Sequence, residues 1–424
     1  MVPDVMRRLL VITYYWPPAG GSGVQRWVKF CKYLPQYGWQ PVVFTPSNPD
    51  IQSWDGSLLG DIPSGTEVIR RPIREPYALY RRLVPQRDAA QVNPLSASNS
   101  SFAGRVFRAL RGNLFIPDPR VSWVRPSVRF LKKYLAGHPV DAVVTTGPPH
   151  SMHLIGLGLK RATGVKWIAD FRDPWTQMFY YKHLGLTEYA DRRHHRLEKA
   201  VLDGADTVIA VSPPVRDDFA AMTSTPVELI TNGFDEDDFL PAGQAALLRD
   251  DDCFNIVHTG LLAADGNPLC LWNALSAMCR EDSRFASRLR IRLAGKTDPQ
   301  VIDSVRERGL GGNLVDLGYL PHSRTVEEQC RADLLILPLR REPEYAKVLP
   351  GKIFEYMASR RPVLGIGQSD GAAARILEES GSGKMFDWDD EQGVSSFIRA
   401  PHGVGGDIDA YSRRRLTEKL IRLL

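Results

Sequence analysis

Two series of short apolar runs, each alternating with longer amphipathic segments, constrain this chain more than any other feature, because that alternation is the pattern of parallel β-α units. In the first series LLVIT (9–13), PVVFT (41–45), DAVVTT (141–146), KWIADF (166–171) and TVIAVS (207–212) read as buried strands. Segments 24–34, 151–161 and 189–201 read as helices between them. The second series is FNIVHTG (254–260), RIRLAG (290–295), LVDLG (314–318), DLLILP (333–338) and PVLGI (362–366). The expected fold class is α/β, with two doubly wound parallel sheets in succession. At 424 residues the chain exceeds the size at which one hydrophobic core keeps growing, which points the same way. The join is expected in NGFDEDDFLPAG (232–243), where turn formers meet a charge run without period. Residues 86–104, with QVNPLSASNSS, are poor in large apolar side chains and are expected to form a mobile loop.

The net charge of +5 is modest, but it is unevenly placed. Arg105, Arg108, Arg111, Arg120, Arg125, Arg129, Lys132 and Lys133 face the single acid Asp118, and Phe102, Phe107, Leu110, Leu114 and Phe115 are interleaved with them. Such a stretch suits a helix lying on an anionic membrane surface. A solvated basic face is the plainer alternative, and a nucleic-acid contact is a third; no nucleic-acid partner is expected. Cys31, Cys253, Cys270, Cys279 and Cys330 follow no regular spacing, so reduced thiols in a cytosolic compartment are expected. No cluster with metal-ligand spacing is visible. LLVITYYW near the start is too short to span a bilayer and reads as the first strand of a soluble protein.

In open parallel sheets, ligands bind beyond the carboxyl ends of the strands, so the residues that follow each run carry the candidate chemistry. LLVIT leads into YYWPPAGGSGVQRW, whose Gly20, Gly21 and Gly23 open a helix and allow a phosphate to approach the backbone closely; a plain tight turn is the alternative. DAVVTT leads into GPPHSMH with His150 and His153, and KWIADF runs into Asp170, Arg172 and Asp173. In the second series LPGKIFEYMASRRPVL (349–364) places Lys352 and Glu355 on one helical face behind Pro350 and Gly351. That helix opening favours an anion, and Arg360, Arg361 and Pro362 end it. The competing reading is a surface ion pair at i,i+3, worth about 0.3–0.5 kcal/mol.

Together YWPPAGGSGVQRWVKFCKYL, VSPPVRDDF, ITNGFDEDDF, LAGK and LPGKIFEYMASRRPVL resemble glycosyltransferase family 4, over nearly the whole chain. The resemblance implies the GT-B architecture, two Rossmann-like domains facing a cleft, here over 1–238 and 239–405, with a C-terminal helix in 406–424 returning to the first domain. It implies a retaining transferase that moves a sugar from a nucleoside-diphosphate-sugar to a hydroxyl acceptor, sugar or lipid-linked, in bacterial cell-surface polysaccharide or glycoconjugate assembly. No cofactor and no metal are expected beside the donor. Lys352 would neutralise the leaving diphosphate, Glu355 would bind the ribose hydroxyls, and Gly20 and Gly21 would offer N–H groups to the phosphates. Lys296 and His258 would line the donor, and His150 stands nearest the histidine that touches the sugar. The placement implied is cytoplasmic, peripheral on the inner face of the membrane. The chain departs from the family pattern at Lys347, where many members have a second glutamate, and in HTGLLAADGNP, where many carry Arg and Lys. Two rivals follow: a sugar-nucleotide epimerase of the same fold, with Asp170 and Asp173 as acid and base, and a non-catalytic sugar-nucleotide or membrane-binding protein.

Overall fold

All ten apolar runs form strands. The structure is a computed structural model that describes residues 6–50, 54–75, 109, 111–239, 252–403 and 406–424. It divides into two units, Met1–Ile230 with Thr417–Leu424, and Thr231–Leu416. The expected loop at 86–104 lies outside the described residues, as do positions 240–243 of the expected join.

In the first unit the strands are β1 (Arg7–Ile12), β2 (Trp39–Pro46), β3 (Glu67–Arg71), β4 (Ala142–Gly147), β5 (Lys166–Phe171), β6 (Thr207–Ala210) and β7 (Val227–Leu229). They pair in parallel in the order β3-β2-β1-β4-β5-β6-β7. The strand order reverses direction between β1 and β4, so the loops leaving these two strands diverge to opposite faces and leave room beyond their carboxyl ends. Those loops are the Gly20–Gly23 turn and the His150 segment. The central strands are buried on both faces, and Leu10, Ile12, Val143, Ala169 and Val208 enter one contiguous core. This is why they read as continuous apolar runs.

The second unit repeats the plan with β8 (Phe254–Thr259), β9 (Leu289–Ala294), β10 (Leu314–Gly318), β11 (Leu334–Pro338), β12 (Val363–Ile366) and β13 (Gly383–Phe386). Their order is β10-β9-β8-β11-β12-β13, again parallel, with the switch between β8 and β11. Side chains alternate across this sheet as the period of two requires. Ile256, Leu334, Ile336 and Leu364 face one core, while Val257, Leu335, Leu337 and Val363 face another.

Three strands lack a matching apolar run: β3, β7 and β13. All lie at sheet edges, where one side of the strand has no neighbour and polar side chains are tolerated. EVIRR of β3 is half-exposed or exposed throughout, and β7 is only three residues long.

Candidate functional site

Each unit places a set of polar side chains at the carboxyl ends of its switch-point strands. In the second unit the helix Lys352–Ala358 turns Ile353, Phe354, Tyr356 and Met357 into the core. Lys352 and Glu355 are left on the other face, both half-buried. Arg360, at φ 55°, ends the helix ahead of Pro362 and β12. The two polar residues do not pair with one another. Lys352 Nζ lies 3.4 Å from His258 Nε2, beside Gly260, where a Cβ would stand 3.2 Å from the ammonium. Among the described residues no carboxylate comes within ion-pair distance of it. Burial lowers the Lys352 pKa to about 8, against a smaller raising effect of Glu355. His258 Nδ1 lies 3.2 Å from the Ile336 carbonyl on β11 and Nε2 3.4 Å from the Leu261 carbonyl; with the ring proton on Nδ1, the nearer of the two, Nε2 faces the ammonium as an acceptor. Burial, and then the Lys352 charge, press the His258 pKa down to about 3, so this imidazole is neutral.

Glu355 points to the helix His322–Arg331. Its Oε1 is 3.2 Å from His322 Nε2 and its Oε2 accepts from Gln329 Nε2 at 3.0 Å. Burial alone would raise its pKa, but the His322 bond and charge, the Gln329 bond and the Arg413 charge hold it below the usual carboxylate value. The surface ion-pair alternative is therefore not what the structure shows. Lys296 is exposed just past the end of β9; its carbonyl accepts from Leu262 N at 3.0 Å.

In the first unit the helix Ser22–Tyr33 opens at Gly21, φ 97°, without a side-chain cap and without an acid in its first turn. Its N–H groups and dipole therefore meet no built-in anion there. Gly20 precedes it, half-buried. Arg172 fastens this turn to its neighbour loops: Nη1 donates to Gly23 O at 2.8 Å, Nε to Gly147 O at 3.3 Å, and Nη2 to Pro148 O. Gly23 is needed for that approach, since a Cβ there would lie 2.9 Å from Nη1. Arg172 thus ties together the backbone of the loops that follow β1 and β4.

Asp170 is engaged from several sides. It is fully buried, and its carboxylate accepts from Arg26 Nε (3.1 Å) and Nη2 (2.8 Å), Trp27 Nε1 (2.7 Å) and Thr146 Oγ1 (2.9 Å). Although burial opposes it, the Arg26 charge and these bonds keep its pKa lowered. A carboxylate with its acceptor sites so occupied is not available to exchange a proton with a substrate. Asp173, in contrast, is half-buried and, among the described residues, its carboxylate makes no hydrogen bond; burial raises its pKa despite Arg172. His150 is 5% exposed and stacks on Trp175 with ring centroids 5.0 Å apart and 6° between planes. Among the described residues neither ring nitrogen makes a hydrogen bond of good geometry, and the Pro174 backbone only weakly favours its charged form. His153, fully buried, is 2.9 Å through Nδ1 from Thr145 Oγ1, and Trp167 Nε1 donates to the same hydroxyl at 2.9 Å. Both imidazoles are neutral, chiefly through burial.

The sequence reading missed His322, Gln329 and Trp175. His322 and Gln329 are seven apart and so share a helix face, but nothing in the run HSRTVEEQCR says that this face meets Glu355. Of the basic stretch, Phe102, Arg105, Phe107, Arg108 and Leu110 lie outside the described residues. Arg120 is buried against Glu75 at 2.8 Å. The helix Val124–Gly137 exposes Arg125, Arg129, Lys132 and Lys133 while Leu131 enters the core and Val124, Val128 and Leu135 pack against it. The apolar face of that helix is therefore taken up inside the domain, and its outer face is cationic. Among the described residues no helix is long and apolar enough to cross a membrane.

Residues 92–238 match the family model described as Glycosyltransferase Family 4. A comparison with curated proteins finds no match. Among solved structures, the sucrose-phosphate synthase from Thermosynechococcus elongatus is similar at 17% identity and TM-score 0.61, over 98% of this chain and 94% of that one. WaaG, a glycosyltransferase involved in lipopolysaccharide biosynthesis, is similar at 13% identity and TM-score 0.56, over 97% and 98%. A putative UDP-N-acetylglucosamine 2-epimerase from Listeria monocytogenes is similar at 10% identity and TM-score 0.54, over 98% and 95%. At such identities the likeness establishes the fold. The chain has the GT-B fold of two Rossmann-like domains, and the resemblance to glycosyltransferase family 4 stands.

Proposed function

We propose that this chain, a GT-B protein whose residues 92–238 carry the family 4 glycosyltransferase match, is a retaining glycosyltransferase that takes its sugar from a nucleoside-diphosphate-sugar. The observation that carries the reading is Lys352: a half-buried ammonium at the carboxyl end of β8 that faces a neutral imidazole and, among the described residues, no carboxylate within ion-pair distance. Such a cation lacks a counter-charge, and a diphosphate supplies one. When the anomeric C–O bond to the diphosphate breaks, negative charge grows on the leaving oxygen, and a preplaced ammonium stabilises that charge more than the ground state. Glu355, its acidity kept by His322 and Gln329, accepts hydrogen bonds from the ribose hydroxyls. Lys296 and His258 belong to the same donor region. In the first domain the uncapped Gly20–Gly21 turn is an anion site, and Asp173 and His150 are the candidates for contact with acceptor or sugar hydroxyls.

The similarity to WaaG supports a place in bacterial cell-surface polysaccharide or glycoconjugate assembly, with a sugar or lipid-linked acceptor. The cationic face of the Val124–Gly137 helix supports a peripheral position on an anionic membrane surface. The reading requires no metal, because Lys352 and the helix openings supply the positive charge. The test is transfer from a panel of nucleotide sugars, with and without acceptor extracts, in excess chelator. Acceptor-dependent loss of donor that survives chelation supports the proposal; acceptor-independent isomerisation of the donor sugar replaces it by the epimerase reading. That second reading draws on the Listeria structure and on the unengaged carboxylate of Asp173. It has lost Asp170, the other carboxylate it called for.

A further inference from the structure

Glu355 is held from outside its own helix. His322 and Gln329, two turns apart on the helix His322–Arg331, each take one of its carboxylate oxygens, at 3.2 and 3.0 Å. Gln329 Nε2 also donates to Thr259 Oγ1 at the end of β8 (3.2 Å), and Thr259 N donates to the Tyr356 hydroxyl at 2.9 Å, next to Glu355. His322 Nδ1 in turn lies 4.0 Å from Asp238 Oδ2. Three elements are thereby locked around one carboxylate.

This lock is not what keeps the Lys352–Ala358 helix in place, since Ile353, Phe354, Tyr356 and Met357 already anchor it in the core. It also carries a penalty. A carboxylate can only accept, so the Gln329 amide must turn its nitrogen toward Glu355, and its Oε1 is left buried with no partner among the described residues. An apolar side chain of similar length would avoid that loss. The retained amide is explained by what it does to Glu355. An ionised carboxylate has about four acceptor positions; with one on each oxygen occupied, each oxygen keeps a position for one further donor, and the vicinal hydroxyls of a ribose supply two.

We propose that His322 and Gln329 are positioning residues that set the ribose preference of the nucleotide site by fixing the Glu355 carboxylate. This rests on the reading of Glu355 as the ribose ligand. The experiment measures, by calorimetry on the full chain, the affinities of uridine, guanosine and adenosine diphosphates and of their 2′-deoxy counterparts. For the diphosphate that binds best, the parent should favour the ribo form by about tenfold or more, the value of a hydrogen bond to a charged group. His322→Ala and Gln329→Met should bring that ratio to within about twofold of one. His322→Gln, which keeps an N–H donor and much of the volume, should restore a ratio of several-fold. A parent that binds none of the diphosphates, or lacks the preference, overturns the Glu355 reading and the clamp with it. A parent with the preference, lost in Glu355→Gln but kept in Gln329→Met and His322→Ala, overturns the clamp alone. Should the Ala variant fail to fold, Gln329→Met and His322→Gln decide the matter, because the ribo-to-deoxy ratio of a folded variant does not follow from its stability.

Discussion

Lys352 Nζ stands 3.4 Å from the Nε2 of His258, a cation against a neutral ring whose other nitrogen is tied to the Ile336 carbonyl. The imidazole does not compensate the charge; it only accepts a hydrogen bond. That leaves the ammonium less stable than in water, which is the physical content of its lowered pKa.

Lys352→Ala is therefore expected to lower kcat by about 10²- to 10³-fold while changing donor affinity far less. A steady-state comparison of kcat and KM checks this. Turnover within a few-fold of the parent would remove Lys352 from the reaction.

A pH limb follows from the same contact. The ammonium is present below its pKa of about 8 and is lost above it, so kcat/KM, which reports the free enzyme, should fall as pH rises through about 8. A bound diphosphate favours the charged form, so the limb in kcat should lie higher. Lys352→Arg, charged at every accessible pH, should abolish the limb whatever its effect on the absolute rate. His258 contributes no limb near neutrality, because it stays neutral above about 3.

Asp170 and Arg26 are a buried pair, 0% and 1% exposed. Asp170→Asn leaves the guanidinium without its counter-charge and should destabilise the first domain by about 3–5 kcal/mol, read by denaturant unfolding. A variant of parental stability that had lost only turnover would return Asp170 to the chemistry.

Arg172→Lys replaces a fork that reaches three backbone carbonyls with a single ammonium. Each carbonyl left buried and unpaired costs about 1–3 kcal/mol, so a clear loss of unfolding free energy is expected. Gly23→Ala should give a smaller loss, about 1–3 kcal/mol, because its Cβ would meet Arg172 Nη1 at 2.9 Å. Parental stability in both would mean that the three loops hold together without this residue.

Arg125, Arg129 and Lys132 recur at helical spacing on the exposed face of the Val124–Gly137 helix. Each cation near an anionic bilayer is worth about 1 kcal/mol, so changing all three to Glu should greatly reduce co-sedimentation with anionic vesicles at low salt. The parent's binding should fade as salt rises, since exposed charges are screened over about 8 Å at physiological ionic strength. Equal sedimentation of the two proteins would make this an ordinary solvated face.

The sequence by itself determined most of the two sheets, because a strand buried on both faces is largely apolar, and each of the ten runs became a strand. It also determined where ligand chemistry belongs, since parallel strands place their following loops at one edge. Glycine at 23 and the Lys352–Glu355 helix were legible for the same reason. The edge strands β3, β7 and β13 were not, because a half-solvated strand needs no apolar run. Only the tertiary structure decided what each polar side chain does. Asp170, Arg172 and Asp173 are neighbours in sequence, yet one is fully engaged in a buried ion pair, one staples backbone, and one makes no side-chain hydrogen bond among the described residues. The difference comes from partners 24 to 149 residues away, Arg26, Trp27, Thr146, Gly23, Gly147 and Pro148, and no local period encodes such a distance. The same holds for Glu355, whose sequence neighbour Lys352 is not its partner, and whose actual partners, His322 and Gln329, are brought to it by the packing of another helix.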